Sequence, residues 1–383
     1  MTIHWCGTGL SAIPGLRRVL GKGFEVEVWN RTKSKAVDAV GDLTKRINVF
    51  DQNKLKHNLK KGDLVVSMLP GDWHVPLAEL CISKRANFVS SSYISPEMQA
   101  LDQKAKSFGV VLVNEIGLDP GLDHLMAHNI VDKYRDSPAN NPKNVLSFIS
   151  YCGGIPKIAN DFRYKFSWSP YGVLKALKSP SKSIKNFKEF DTDRPWDAIS
   201  TFASPLNSGE IFEVYPNRNS LPFIKQYKFD TQWKIKEFVR GTLRLKGWAN
   251  AWKPVFKEIE GLEQGIEQDR LKEMSEKLWK QHAYAEDEPD RVVLCVSLKA
   301  EKNTEIVWHK TFVLDAWGDN RGTAMARLVS YPVSFAVEEV CNGSFSPGVH
   351  AATQDKKIIS NWLKNIKDQA QYLELIDNIA KQD

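Results

Sequence analysis

Between Ile3 and Val113 the chain repeats one pattern: a short, β-branched apolar run, a turn, and a stretch with helical spacing. The runs Ile3–Cys6, Glu25–Trp29, Ile47–Phe50, Leu64–Met68, Asn87–Ser90 and Val110–Val113 read as strands. Helical stretches lie near Ile13–Leu20, Lys33–Lys45, Gln52–Leu59, His74–Lys84 and Ser95–Phe108. Runs this short, and apolar at consecutive positions, suit strands covered on both faces. Strands that alternate with helices are joined by crossovers and so lie parallel. The pattern predicts an α/β fold, a doubly wound parallel sheet with helices on both sides.

The first strand leads into Gly7-Thr8-Gly9-Leu10-Ser11-Ala12 and a helix, the Gly-x-Gly-x-x-Ala form of the dinucleotide fingerprint of a Rossmann domain. Gly7 permits the sharp turn, Gly9 lets a pyrophosphate approach the backbone, and Ala12 lets the helix pack closely. The helix N-terminus adds unpaired N–H groups for phosphate, and Pro14 is tolerated because it lies in the first turn. After the second strand comes Trp29-Asn30-Arg31-Thr32-Lys33, where an NAD enzyme usually carries an acid for the ribose 2′-hydroxyl. Arg31, Thr32 and Lys33 suit a 2′-phosphate instead, so the expected cofactor is NADP; the plainer alternative is a solvated basic turn. The carboxyl ends of the strands also collect Asp51-Gln52, Leu69-Pro70-Gly71, Ser91-Ser92-Tyr93 and Leu118-Asp119-Pro120. Open α/β sheets bind ligands at that end.

The sixth strand leads into Asn114-Glu115-Ile116-Gly117-Leu118-Asp119-Pro120-Gly121-Leu122-Asp123-His124, and helical spacing resumes through Leu125, Met126, Asn129, Ile130 and Tyr134. Gly117, Pro120 and Gly121 specify a tight turn, and Pro120 biases Asp119 away from the helical region. Asp119 is therefore expected at the tip of the strand; the plainer alternative makes Asp119 and Asp123 helix caps.

A boundary is expected at the polar stretch Asp136–Lys143, dividing a dinucleotide domain, 1–135, from a second domain, 136–342. Strand-like runs at Val145–Cys152, Phe162–Trp168, Glu210–Tyr215, Lys236–Leu245, Arg291–Ala300 and Thr304–Leu314 lack regular intervening helices. They predict an α+β domain built on a mixed or antiparallel sheet. Helices are expected over Val255–His282, over Gly322–Asn342 despite Pro332, and over Lys356–Ala380, with the segment 343–383 packing back on the first domain.

Lys plus Arg number 53 against 46 Asp plus Glu, a net charge of +7 spread along the chain. Such an excess suits an anionic small ligand and contains no concentrated basic block for nucleic acid. Five scattered cysteines without a Cys-x-x-Cys pair argue against a disulfide framework and a zinc site. No run approaches a membrane span, and Met1–Phe24 lacks the order of a signal peptide, so a cytoplasmic protein is expected. His124 and His128 stand four apart, a metal-ligand spacing, but with no third ligand they are expected on a helix surface. Cys152 and most of the tryptophans are expected in the core.

Several blocks resemble the saccharopine reductase family, the NADP-dependent, L-glutamate-forming saccharopine dehydrogenases. They are Ser91–Pro96, Asn114–Leu125, Ser150–Gly154, Tyr164–Ser169, Tyr215–Arg218, Arg240–Arg244 and Ala324–Ala326. The related carboxynorspermidine dehydrogenases match less closely, and Glu260–Asp290 looks unrelated to the fungal enzymes. The resemblance implies cofactor contacts at Gly7, Thr8, Gly9, Leu10, Ser11, Trp29, Asn30, Arg31, Asp51, Gln52, Leu69, Ser91, Ser92, Leu118, Asp119, Pro120 and Ser169. It implies substrate contacts at Ser92, Tyr93, Asp119, Arg218, Arg240, Gly241 and Thr242.

The implied activity is that of an oxidoreductase of lysine metabolism acting on saccharopine in either direction. Asp119, with Tyr93 as partner, is expected either as the base that takes the amine proton or as a charge that holds the amine. Arg218 and Arg240 are expected as carboxylate clamps, with bulk-free Gly241 letting a carboxylate reach backbone N–H groups. A carboxypolyamine substrate, or an inactive NADP-binding regulator, is the alternative. The expected partner is a small amino-acid substrate, with no nucleic acid, membrane or metal, and the expected assembly is a homodimer.

Overall fold

A computed structural model describes residues 1–206, 209–262 and 266–379. The chain forms two compact units: Met1–Leu125 with Met325–Ile366, and Met126–Ala324 with the described part of Lys367–Asp383.

The first unit is built on a parallel sheet of β1 (Ile3–Cys6), β2 (Val26–Asn30), β3 (Ile47–Val49), β4 (Leu64–Ser67), β5 (Asn87–Ser90), β6 (Val111–Val113) and a seventh strand, Gly348–His350. The order across the sheet is Gly348–His350, β6, β5, β4, β1, β2, β3. After β3 the chain returns to the other side of β1, so strand order reverses between β1 and β4, the place where doubly wound sheets open a ligand crevice. β1 and β4 are buried at every position, as their unbroken apolar runs require.

The helix Ile13–Gly21 packs on Ala324–Cys341 at Gly15. A Cβ at Gly15 would lie 2.0 Å from the Ser330 carbonyl oxygen, and the Gly15 N–H donates to Ser330 Oγ at 2.7 Å. Arg18 and Lys22 both pair with Glu338 alongside. This close approach is why most of the helix Ala324–Cys341 belongs to the first unit.

The second unit holds a nine-stranded mixed sheet. Its main order is Ser200–Ala203, Ile211–Pro216, Lys234–Leu245, Val145–Pro156, Asp290–Lys302, Glu305–Trp317 and Tyr372–Asp377. Lys234–Leu245 and Val145–Pro156 run parallel; the other main-path neighbours are antiparallel. A hairpin, Ser181–Lys185 and Lys188–Thr192, pairs with Lys234–Leu245. An aromatic cluster in this unit includes Tyr164, Phe166, Tyr215, Trp248 and Trp252.

Several expectations are corrected. The boundary expected at 135/136 falls inside the unbroken helix Leu122–Arg135, at Leu125/Met126. Phe162–Trp168 is not a strand; Phe162 stacks on His282 at 3.8 Å and on Trp252 at 4.9 Å. Its aromatic alternation reflects packing into a cluster, which sequence cannot distinguish from a sheet face. The helix expected over Lys356–Ala380 ends at Lys367, and Tyr372–Asp377 becomes a strand on the edge offered by Glu305–Trp317. The segment 343–383 is thus shared between the two units. Ala380 and residues 263–265 of the expected helix Val255–His282 lie outside the described residues. The hairpin turn Asn186-Phe187, with φ of 51° and 66°, places Phe where Gly is the usual signal.

Candidate functional site

In the first unit the turn after β1 fits a dinucleotide phosphate. Gly7 has φ +104°, and a Cβ there would lie 2.7 Å from the Met68 carbonyl oxygen, so only glycine fits. The turn is fixed by Gly7 N–H to Trp29 O at 2.8 Å and by Trp5 Nε1–H to Gly7 O at 3.0 Å. No atom lies within 4 Å of where a Gly9 Cβ would stand, which leaves the face of the loop open to a ligand. The helix Ile13–Gly21 begins at Ala12 without a side-chain cap and carries no acid in its first turn. Its N-terminal N–H groups thus have no internal anion, and Thr8 Oγ1 is buried without a partner beside them. Leu10 is exposed and Ser11 half-buried on the same turn.

At the end of β2, Asn30 Oδ1 accepts from Thr8 N–H at 3.1 Å and Asn30 Nδ2 donates to Thr32 O at 2.8 Å. Asn30 therefore ties the phosphate turn to the basic turn. Arg31 is exposed and makes no ion pair or hydrogen bond among the described residues, and Thr32 opens the next helix without using its hydroxyl as a cap. Trp29 itself is buried, its indole N–H donating to His4 Nδ1 at 3.2 Å. Asp51 caps the helix Gln52–Asn58 by accepting from Lys54 N–H at 2.8 Å, a local role that its position alone accounts for. Leu69 lies against the Gly7 turn.

After β6 the loop Gly117–Gly121 closes tightly. Gly117 N–H donates to Pro120 O at 2.8 Å, and Leu122 N–H to Gly117 O at 2.9 Å. The Asp119–Pro120 peptide is cis, and Gly121 at φ +146° approaches Gly117 so closely that no side chain fits. Asp123 accepts from Gly121 N–H at 2.7 Å and so braces the loop, while Asp119 Oδ1 accepts from the Tyr93 hydroxyl at 2.7 Å. The two acids thus have different tasks, and the expected pairing of Tyr93 with Asp119 is present. Ser91 Cβ lies 3.1 Å from the place a Gly117 side chain would begin, so the β5 and β6 ends meet. Ser92 is half-buried, with its Oγ 2.8 Å from His74 Nε2.

His74 was not among the expected site residues, since its sequence context only marks a helix start. His124 and His128, expected on a helix surface, are both buried. His124 sits between Glu115 Oε2 at 3.3 Å and Asp123 Oδ2 at 3.4 Å, behind the Asp119 loop. No group of His, Cys, Asp or Glu suited to a metal occurs among the described residues.

In the second unit Arg218 is exposed at φ +56°, with its carbonyl accepting from Lys182 N–H at 2.9 Å. Arg240 is buried, its guanidinium 4.1 Å from the centre of the Phe223 ring. Gly241 does not offer the open backbone expected of it. It lies in the middle of a strand paired on both sides, and a Cβ there would meet the Tyr151 ring and Tyr215 O at 2.8 Å. Glycine is needed there for packing. Thr242 is half-buried on the same strand. Ser169 is an exposed helix cap whose Oγ accepts from Gly172 N–H at 3.2 Å.

The residue that stands out in this unit is Arg244, in the sequence only the last member of the Arg240–Arg244 block. It is 4% exposed, and its guanidinium carbon lies 4.8, 5.4 and 5.6 Å from the ring centres of Tyr164, Trp248 and Tyr215. No carboxylate pairs with it among the described residues, and its Nε, the Tyr164 hydroxyl and Trp248 Nε1 are buried without partners. Arg244 Nη1 donates to Leu243 O at 3.1 Å, and a buried guanidinium whose remaining donors lie among other unused donors is suited to an incoming carboxylate. The available signal was the alternation Arg240, Thr242, Arg244 in the half of the strand that is otherwise apolar, Phe238–Leu245.

Residues 7–113 match the family model of the saccharopine dehydrogenase NADP binding domain, and residues 117–371 match that of the saccharopine dehydrogenase C-terminal domain. The first unit accordingly carries an NADP-binding domain. The saccharopine dehydrogenase [NADP(+), L-glutamate-forming] of Schizosaccharomyces pombe is 27% identical over 91% of this chain and 93% of its own length. That of Pyricularia oryzae is 34% identical over 63% of this chain and 54% of its own length. The mitochondrial alpha-aminoadipic semialdehyde synthase of Rattus norvegicus is 27% identical over 94% of this chain but only 46% of its own length. The chain therefore spans about half the length of two of these three relatives. Among solved structures, apo saccharopine dehydrogenase (L-Glu forming) from Saccharomyces cerevisiae shares the fold with TM-score 0.79 at 24% identity, over 98% of this chain and 99% of that one.

Proposed function

Because the chain belongs to the saccharopine dehydrogenase family, we propose that it is an NADP-dependent oxidoreductase of lysine metabolism, with the first unit as cofactor domain and the second as substrate domain. The reaction is saccharopine, NADP+ and water giving L-glutamate, 2-aminoadipate 6-semialdehyde, NADPH and a proton, or the reverse. Hydride leaves the carbon beside the secondary amine, and water hydrolyses the resulting imine. The nicotinamide supplies the redox chemistry; the chain binds, orients and handles protons.

The phosphate turn Gly7–Ser11 receives the pyrophosphate, and Arg31 with Thr32 reads the 2′-phosphate. Saccharopine carries three carboxylates, and the observation that carries the assignment is Arg244, a buried cation with no acid of its own among the described residues. It takes one carboxylate, and Arg218 at its exposed turn takes another. Asp119, bonded to the Tyr93 hydroxyl, receives the amine proton or pairs with the ammonium.

A cytoplasmic setting is supported by Cys6, Cys81, Cys295 and Cys341, which form no disulfide among the described residues. No described helix is long and apolar enough to cross a membrane. A homodimer is supported by the outer strand Ser200–Ala203, largely exposed with one ladder edge unpaired among the described residues.

Incubation with saccharopine and NADP, followed by nicotinamide absorbance, tests the assignment. NADPH should form with saccharopine and much less with carboxynorspermidine. The opposite preference would change the substrate, and binding of NADPH without turnover of either would mark a regulator.

A further inference from the structure

His74 opens the helix His74–Lys84 and is buried between two serine hydroxyls. Its Nδ1 lies 3.0 Å from Ser67 Oγ, at the end of β4, and its Nε2 lies 2.8 Å from Ser92 Oγ, just after β5. We propose that His74 is a positioning residue that makes the Ser92 hydroxyl a hydrogen-bond donor to the bound ligand. The proposal rests on the assignment of Ser92 as a ligand contact.

A neutral imidazole has one donor and one acceptor nitrogen, and the hydrogen bond at one nitrogen sets the other. Burial pushes the His74 pKa down to about 4, with Asp72 pulling weakly the other way, so the ring is neutral near pH 7. Ser67 is fully buried, and His74 is its only side-chain partner among the described residues. Were Nδ1 to carry the proton, the Ser67 hydroxyl proton would be buried without an acceptor, which is costly. Ser67 therefore donates to Nδ1, Nε2–H donates to Ser92 Oγ, and the Ser92 proton is free to point away from the protein. The atom it meets must be an acceptor, a carboxylate or amide oxygen, and cannot be an ammonium.

Two measurements test this on the whole chain. In protein labelled with nitrogen-15 histidine, the signal lost in His74→Gln should report protonated Nε2 and unprotonated Nδ1 at neutral pH. The other tautomer, or an imidazolium, overturns the proposal. In a double-mutant cycle, Ser92→Ala and His74→Ala should each weaken saccharopine KM or NADPH Kd on the order of tenfold. The double variant should be no worse than either, and His74→Gln, which restores an N–H near Nε2, should recover most of the loss. Additive losses would overturn the relay while leaving Ser92 as a contact. A silent Ser92→Ala would instead remove the contact itself, and the proposal with it.

Discussion

Replacing Arg244 by methionine separates a binding role from a structural one, because the two predict very different changes in stability. The guanidinium is 4% exposed and has no acid partner among the described residues, so what offsets its lost hydration is its contact with three rings and one hydrogen bond, from Nη1 to Leu243 O at 3.1 Å. Ring centres at 4.8, 5.4 and 5.6 Å lie within the roughly 6 Å reach of cation–π attraction, each worth about 0.5–2 kcal/mol. Burying the unpaired charge costs several kcal/mol, of the same order as the ring contacts combined. Methionine keeps the length and apolar volume, so the ligand-free protein should lose less than about 1 kcal/mol, or gain stability. With saccharopine bound, a buried charge-assisted pair is lost, costing about 2–4 kcal/mol. At 1.4 kcal/mol per decade, KM should rise roughly 30- to 700-fold while NADPH affinity holds. Urea unfolding, NADPH titration and initial rates measure the three quantities. A variant destabilised by several kcal/mol with wild-type KM would show that Arg244 holds the aromatic core and nothing else.

Arg31→Ala should weaken NADPH by about 1–3 kcal/mol and leave NADH nearly unchanged, since Arg31 makes no bond among the described residues; equal losses in a titration would remove it from the 2′-phosphate. Asp119→Asn should lower kcat by roughly 10²–10⁴ and abolish the acidic limb of the pH–rate profile if Asp119 is the base. A raised KM with kcat and its pH profile intact would instead identify a charge anchor. Stability should fall by about 2 kcal/mol between pH 7 and pH 5 on account of His74, whose pKa drops from 6.5 unfolded to about 4 folded, so that protons favour the unfolded chain in that window. His74→Gln should flatten that part of the stability curve; an unchanged slope would mean the imidazole is not buried neutral. Gly15→Ala should destabilise the protein by well over 1 kcal/mol, read in a thermal melt, because the methyl group would have to displace the Ser330 backbone.

The parallel sheet, the dinucleotide turn and the Asp119 loop are legible in the sequence because each rests on local constraints. Buried strands must be apolar throughout, Gly7 and Gly121 adopt backbone that side chains rarely tolerate, and Pro120 restricts Asp119 directly. The pairing of Tyr93 with Asp119 follows nearly as closely, since both lie where neighbouring strands end. Tyr372–Asp377 misleads for the opposite reason: nothing local stops the helix, and only the free edge of Glu305–Trp317 turns the segment into a strand.

Long-range contacts decided the rest. Gly241 is glycine because Tyr151 from the neighbouring strand occupies its side-chain space, not because a ligand does. The burial of His124 depends on Glu115, and that of His74 on Ser67 and Ser92, partners that helical spacing does not reveal. Arg244 stands out among the arginines through Tyr164 and Tyr215, brought from two other segments to join the nearby Trp248. By itself the sequence determined the backbone of the cofactor domain and the place of its turns, since dihedral limits and hydrophobic periodicity act within a few residues. Which polar side chains are buried, and which of those are left without a partner, only the tertiary structure decided, because desolvation and pairing depend on every segment that packs against them.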